Sequence, residues 1–250
     1  MLLENIIKYT KIAQRGSVLG RNKNLEKQLL TTHNDDNISG DLQKVSNFYL
    51  FEKRCFDILC GLMGLILVLG VSFFLFPFCL FGKNKGPLFF KQTRVGQYGH
   101  KFEIYKFRSM IVDAEGVLHR NTALYKKYVA NNYKLPAGED PRITKLGAFI
   151  RKSSFDELPQ FINILKGDLS MVRPRPVVEA ELVEYGDQIG QLLDAKPGAM
   201  GLWQASGRSN IGYPERAELE LYYVEHRSFR YDLVILFKNI ASIFKAEGAF

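Results

Sequence analysis

Cysteine is scarce in this chain, tryptophan scarcer still, and across one long stretch charge is missing altogether. The three cysteines, Cys55, Cys60 and Cys79, are odd in number and lie in or beside that stretch. They show no metal-ligand spacing and no disulfide framework, so they read as reduced, structural thiols in a cytoplasmic or bilayer setting. The uncharged stretch runs 24 residues, from Ile58 to Phe81. As a helix it would be about 36 Å long, more than the roughly 30 Å hydrocarbon core of a bilayer. Uncharged runs this long are rare in soluble cores, so a membrane helix is expected. Acids are nearly missing from a second stretch. Between positions 83 and 110, Lys83, Lys85, Lys91, Arg94, Lys101, Lys106 and Arg108 meet a single acid, Glu103. Such a patch suits an anionic membrane face, a polyanion or a phosphorylated substrate, with a solvated basic surface as the plainer alternative. No secretory signal, internal repeat, helix-turn-helix or zinc motif is present, which argues against nucleic-acid binding.

What is present divides near residue 47. Residues 1–46 are rich in Asn, Thr, Gln and Lys and should form a loose tail or one amphipathic helix. The apolar run is basic on both flanks, with Lys53 and Arg54 before it and Lys83, Lys85 and Lys91 after it. The positive-inside rule then selects no orientation and suits both ends staying cytoplasmic. Gly61, Gly64, Gly70 and Pro77 interrupt the run, so a re-entrant helix that bends and returns to the same face stands beside a full span. Loose alternation on either side of Gly96-Gln97-Tyr98-Gly99 predicts a β-hairpin. Further helices are predicted from a cap at Asp113 to about Asn131, over 177–195, and near Pro214–Glu225 and Arg230–Lys245, with a loop at Leu135-Pro136-Ala137-Gly138.

The most telling segment is 151–176, RKSSFDELPQFINILKGDLSMVRPRP. Asp156 and Glu157 sit where a helix should begin, bracketed by Arg151 and Lys152 before and Arg173 and Arg175 after. A carboxylate nucleophile beside phosphate-binding arginines is what phosphoryl transfer from a nucleotide-sugar requires. The structural alternative is a capping box, with Ser154 and Glu157 as its two members. The two are compatible, and both the helix dipole and the arginines should favour an ionised Asp156. The Gly201–Arg208 loop holds the only tryptophan, Trp203. It could seat a base and phosphate or be a packed turn.

Several motifs occur in order: Lys53-Arg54-x-Phe56-Asp57, Gly86-Pro87, Arg94-Val95-Gly96, Lys106-Phe107-Arg108-Ser109-Met110 and Asp140-Pro141-Arg142-Ile143-Thr144. They continue through Asp156-Glu157-Leu158-Pro159-Gln160, Pro174-Arg175-Pro176, Pro197-Gly198 and Ser206-Gly207-Arg208. From Lys53 onward the chain resembles the bacterial sugar transferases, monotopic phosphoglycosyl transferases acting on polyprenyl phosphate. The ending is similar to the exopolysaccharide galactose-1-phosphate branch. The resemblance implies an α+β, mostly helical, monotopic membrane protein. Its expected parts are a variable tail (1–46), a re-entrant membrane helix (47–82) and a cytoplasmic catalytic domain containing a β-hairpin (83–250).

The resemblance further implies that Asp156 attacks a UDP-sugar, releases UMP and holds the sugar phosphate until undecaprenyl phosphate accepts it. Glu157 is implied to help hold Mg²⁺. Arg151, Arg175 and Arg208 are then the first candidates for phosphate contacts, followed by Lys106 and Arg108. Asp168 is a weaker metal candidate. The implied setting is the cytoplasmic face of the bacterial inner membrane, without nucleic acid and with a homodimer left open. The chain departs from the family pattern twice. Gly70-Val71-Ser72 stands where a Ser-Pro break is usual, and Arg173 stands where glycine usually precedes Pro-Arg-Pro and could add a phosphate contact. The rival function is a non-catalytic membrane scaffold holding anionic lipid or polymer, which would not need Asp156 or Glu157.

Overall fold

A computed structural model describes residues 46–130, 135 and 138–244. Residues 1–45, and Pro136 and Ala137 of the expected loop, lie outside them. The apolar run forms one helix, α1 (Asn47–Leu75), whose first turn is capped by the Ser46 side chain accepting from the Phe48 N–H at 3.2 Å. Its buried residues fall every third or fourth position along one stripe, from Tyr49, Lys53, Asp57, Gly61 and Gly64 to Val68. The opposite face is apolar and bare: Ile66, Phe73 and Phe74 are 71%, 77% and 72% exposed. In water a face of this kind is unfavourable, so it calls for an apolar partner or a bilayer.

The glycines do not interrupt α1, contrary to expectation. Gly61 and Gly64 lie on the packed stripe, where a Cβ on Gly61 would come 2.7 Å from Leu165 and one on Gly64 would run into the Phe161 ring. They permit close approach instead of breaking the helix. Only Pro77 changes the backbone, and the chain tightens to a 3₁₀ turn over Phe76–Leu80. Proline lacks the N–H that a further α turn would use.

The basic motif at the start of α1 fastens it to the folded body. Lys53 Nζ lies 2.7 Å from Asp232, which also accepts from the Tyr49 hydroxyl at 3.0 Å. Arg54 donates to the carbonyls of Ile164 and Leu165 at 2.7 and 2.9 Å. Asp57 accepts from Ser170 Oγ and the Met171 N–H at 3.1 and 2.8 Å, and Phe56 packs edge-on to Phe229. At the other end, Val68 and Leu75 share a cluster with Phe107 and Ile150. Both ends of α1 therefore rest on one body.

The predicted hairpin is present: β1 (Phe89–Val95) and β2 (Lys101–Phe107) pair antiparallel, Phe89 opposite Phe107 and Val95 opposite Lys101. The turn needs positive φ at Tyr98 and Gly99 (56° and 78°). The helix expected from Asp113 is two helices, α2 (Ala114–Arg120) and α3 (Thr122–Ala130). Asp113 is left-handed and does not cap; its carboxylate pairs with Arg120 at 2.9 Å. The Asp140–Thr144 motif is a structural turn. Buried Arg142 forks onto Asp140 with two bonds of 2.8 Å, and Thr144 caps α4 (Lys145–Lys152) through the Gly147 N–H at 2.9 Å.

A 3₁₀ turn (Phe155–Glu157) leads to α5 (Gln160–Lys166). β3 (Ser170–Val172) and β4 (Gly198–Met200) then form a short parallel pair that three-residue strands could not announce by period. The stretch expected as one helix over 177–195 is a 3₁₀ run (Glu179–Gln188), kinked at Gly186, followed by α6 (Ile189–Asp194). After α7 (Leu202–Ser206), the closing helices α8 (Glu215–His226) and α9 (Phe229–Phe244) match expectation within a residue or two. The core centres on Tyr223, Ile235, Leu169, Val172 and Ile164, where α5, β3, α8 and α9 meet.

Candidate active site at the acidic turn

The capping box does not form. Ser154 is left-handed (φ 57°) and its side chain caps nothing, so the Asp156-Glu157 pair projects from the 3₁₀ turn ahead of α5. That frees Glu157 for longer-range partners. Arg175 donates to its Oε1 at 2.9 Å and Lys106 to the same oxygen at 3.1 Å. Oε2 accepts from no described residue. Burial alone would raise the Glu157 pKa, but Arg175 and Lys106 outweigh it and hold the carboxyl well below the usual range.

Asp156 is treated differently. Among the described residues its carboxylate has no hydrogen-bond or ion-pair partner. Its pKa is pushed up to about 6, first by burial and then by the adjacent Glu157 carboxylate, while Lys106, Arg151 and Arg175 pull against the rise. The cations act as expected, but burial exceeds them. Two neighbouring carboxylates with pKa values driven apart are the usual mark of divided roles. Asp156 is mostly ionised at pH 7 yet uncommitted, as a nucleophile should be; Glu157 is fixed and always charged.

The predicted basic residues separate by what they hold. Lys106 on β2 and Arg175, just past β3, meet at Glu157. Arg151 lies near enough to act on Asp156, its Nε donating to Ser109 Oγ at 2.8 Å. Burial lowers the Arg151 pKa. Arg208 has a positive φ and a buried Nε without a partner in the described residues. Arg108 is committed elsewhere. It donates to the backbone carbonyls of Pro87 (2.6 Å), Met110 (2.9 Å) and Asn84, and so laces the exit from α1 to β2. Arg173 is buried, with its guanidinium 5.5 Å from the Tyr49 ring. It lies in the seam under α1, not at the acidic turn. Asp168 accepts from Asn163 at 3.1 Å and pairs with Lys166 at the far end of α5, so it closes a turn.

Arg175 is itself braced. Its backbone N–H donates to Glu220 Oε1 at 3.3 Å, and its guanidinium lies 5.7 Å from the Trp203 ring. Fully buried Glu220 is held by Tyr185 and Arg216, and Arg216 stacks 4.5 Å from the other partner, Trp203. Trp203 thus organises arginines. The sequence offered no signal for Glu220, because the partners that give it meaning lie on other elements.

Arg94 was named only within the basic stretch and a motif. It lines a narrow cleft together with Lys106, Arg175 and Gln160. Among the described residues no three His, Cys, Asp or Glu side chains gather as a metal cage. Mg²⁺ needs none, since it commonly uses one or two carboxylates plus substrate phosphates. The free oxygens of Asp156 and Glu157 Oε2 are hard donors of the right type.

The bacterial sugar transferase model matches residues 48–246. An undecaprenyl-phosphate galactose phosphotransferase of Salmonella typhimurium is 40% identical over 216 residues, covering 85% of this chain and 44% of that protein. Galactosyl transferase CpsE of Streptococcus agalactiae is 39% identical over 225 residues, 90% of this chain and 49% of its own length. Exopolysaccharide production protein ExoY of Sinorhizobium fredii is 38% identical over 203 residues, 80% of this chain and 88% of its own. The chain spans less than half the length of the first two relatives and most of the third. With the acidic turn, its two gripping cations and the α1 docking motif all inside the matched region, the chain belongs to the bacterial sugar transferase family.

Proposed function

We propose that the protein transfers a hexose 1-phosphate, galactose 1-phosphate first, from a UDP-sugar to undecaprenyl phosphate at the cytoplasmic face of the bacterial inner membrane. The observation that carries this is the contrast at the acidic turn: Asp156 half-buried, unpaired and raised to about 6, Glu157 gripped by Arg175 and Lys106.

An Asp156 oxygen bonds to the sugar-bearing phosphorus, and the bond from that phosphorus to the bridging oxygen breaks. UMP leaves with that electron pair. The lipid phosphate oxygen then attacks the same phosphorus, the bond to Asp156 breaks, and the free carboxylate returns with a polyprenyl diphosphosugar as product. Lys106, Arg151 and Arg175 stabilise charge on the phosphoryl oxygens. Glu157 orients Lys106 and Arg175. Mg²⁺, held through Glu157 Oε2 and Asp156, would neutralise diphosphate charge when bound.

The sugar assignment follows the galactose-named relatives. The monotopic reading is supported by α1 resting on one body at both ends. A crossing helix would carry one end about 30 Å from a domain on the other side. The break then belongs at Pro77. Mass spectrometry of wild-type protein with UDP-galactose and no lipid tests the chemistry, and a hexose-phosphate adduct on Asp156 is expected. Turnover without any adduct on that residue would overturn the covalent route. Tags at the two termini appearing on opposite faces would overturn the topology.

A further inference from the structure

The pocket beside the acidic turn has an uneven charge balance. Arg94, Lys106 and Arg175 line it with Gln160, and no acid is among its lining residues. Lys106 and Arg175 are answered by Glu157 at the rim. Arg94 is answered poorly: Glu181 is 3.9 Å away, Gln92 takes one N–H at 2.8 Å, and its buried Nε has no partner among the described residues. Burial and the nearby Arg175 both lower the Arg94 pKa, while Glu181 pulls against them. Three cations converging with so little counter-charge favour an anion. Three cationic heads grouped with the Gln160 amide match the several oxygens of one phosphate group.

Two phosphate monoesters take part in the proposed reaction, UMP and the lipid phosphate, and in-line geometry relates them. When Asp156 attacks, UMP departs from the side of the phosphorus opposite Asp156. When the lipid phosphate attacks the aspartyl intermediate, it must approach opposite Asp156 again. The departing and arriving phosphates therefore need the same place at different times. We propose that Arg94, Lys106 and Arg175 form one phosphate subsite that UMP and the polyprenyl phosphate occupy in turn, with Arg94 as a binding residue. This rests on the function proposed above for the identity of the two ligands, but its test does not need turnover.

The test is competition binding to the full chain in detergent. Titration calorimetry with UMP is repeated with rising concentrations of a short-chain polyprenyl monophosphate. A strictly competitive rise in the apparent Kd for UMP is expected. Arg94→Gln should weaken both ligands by about ten- to hundred-fold, the range for a lost charged hydrogen bond, and Arg94→Lys should restore part of both. Inorganic phosphate should compete weakly with each. Simultaneous binding of the two ligands to wild-type protein would overturn the shared subsite. So would weakening of only one ligand in a folded Arg94→Gln. Competition by both in a protein that forms no aspartyl adduct would leave the subsite standing and strike only the catalytic reading.

Discussion

The seam that seats α1 and the turn that carries Asp156 are both dense in charge, and they use it in opposite ways. At the seam, Lys53 has Asp232, Arg54 has two helix-end carbonyls, and Asp57 has Ser170 and Met171. Arg54 thereby satisfies the Leu165 carbonyl at the C-terminus of α5 and adds a second donor to that of Ile164, which already accepts from the Gly167 N–H. At the turn, Asp156 has no partner and Arg94 an incomplete set. Arg173, whose buried Nε also lacks a partner among the described residues, is the exception in the seam; the other charges there are matched and hold structure, while those at the turn stay open to a ligand. Basic residues that look alike in the sequence fall on either side of that line.

The sharpest break of the comparison is Asp156→Asn. It keeps the shape and loses no partner, so the thermal midpoint should hold while turnover falls at least about a thousandfold. Near-normal turnover in a clean preparation would remove the nucleophile assignment. Glu157→Gln comes next. It keeps an acceptor but removes the charge that Arg175 and Lys106 share, so turnover should drop about ten- to hundred-fold, with partial recovery at high Mg²⁺. A loss insensitive to Mg²⁺ would confine Glu157 to positioning the two cations.

Acidity should then act on the UDP-sugar step through Asp156, read as kcat/KM for that substrate, because the lipid phosphate itself titrates at about 6. Its carboxyl is raised to about 6, so the nucleophilic anion is lost as pH falls through that value. The profile of kcat/KM should carry an acid limb near pH 6, losing about tenfold per unit below it. A limb near 4 would mean burial is weaker than the geometry implies.

On the matched side, Asp57→Ala leaves Ser170 Oγ and the Met171 N–H unpaired, a cost of about 1–3 kcal/mol. Stability should fall with little change in KM, the reverse of the Asp156 result. The smallest effect belongs to Arg173→Gly. It removes the stacking on Tyr49, worth about 0.5–2 kcal/mol, and should leave KM for both substrates unchanged. A clear rise in KM would return Arg173 to the phosphate site.

The sequence carried the apolar run, the hairpin, the two closing helices and the acidic pair, because each shows as local pattern. It could not carry commitment. Arg108 ranked behind Arg151 and Arg173 stood as a possible added contact, but only the fold shows that carbonyls near Pro87 and the Tyr49 ring claim them. Ser154 and Glu157 matched a capping box by spacing, yet Ser154 is left-handed and its side chain caps nothing. Gly61 and Gly64 looked like breaks because close approach to Leu165 and Phe161 has no local signature. The β3–β4 pair joins segments that neither length nor alternation could link.

Tyr49 and Asp232 are 183 positions apart. At about 5–20 residues per second of synthesis, that separation is roughly ten to forty seconds. For that interval Lys53 rides on a nearly apolar helix without its acid, while Asp57 waits only until Ser170 and Met171 are made. The helix can meet the bilayer early, but it cannot take its final seat until α9 has emerged. On the membrane placement proposed above, insertion would therefore precede docking, and a ribosome stalled before Asp232 would leave the helix inserted yet not docked to its own body.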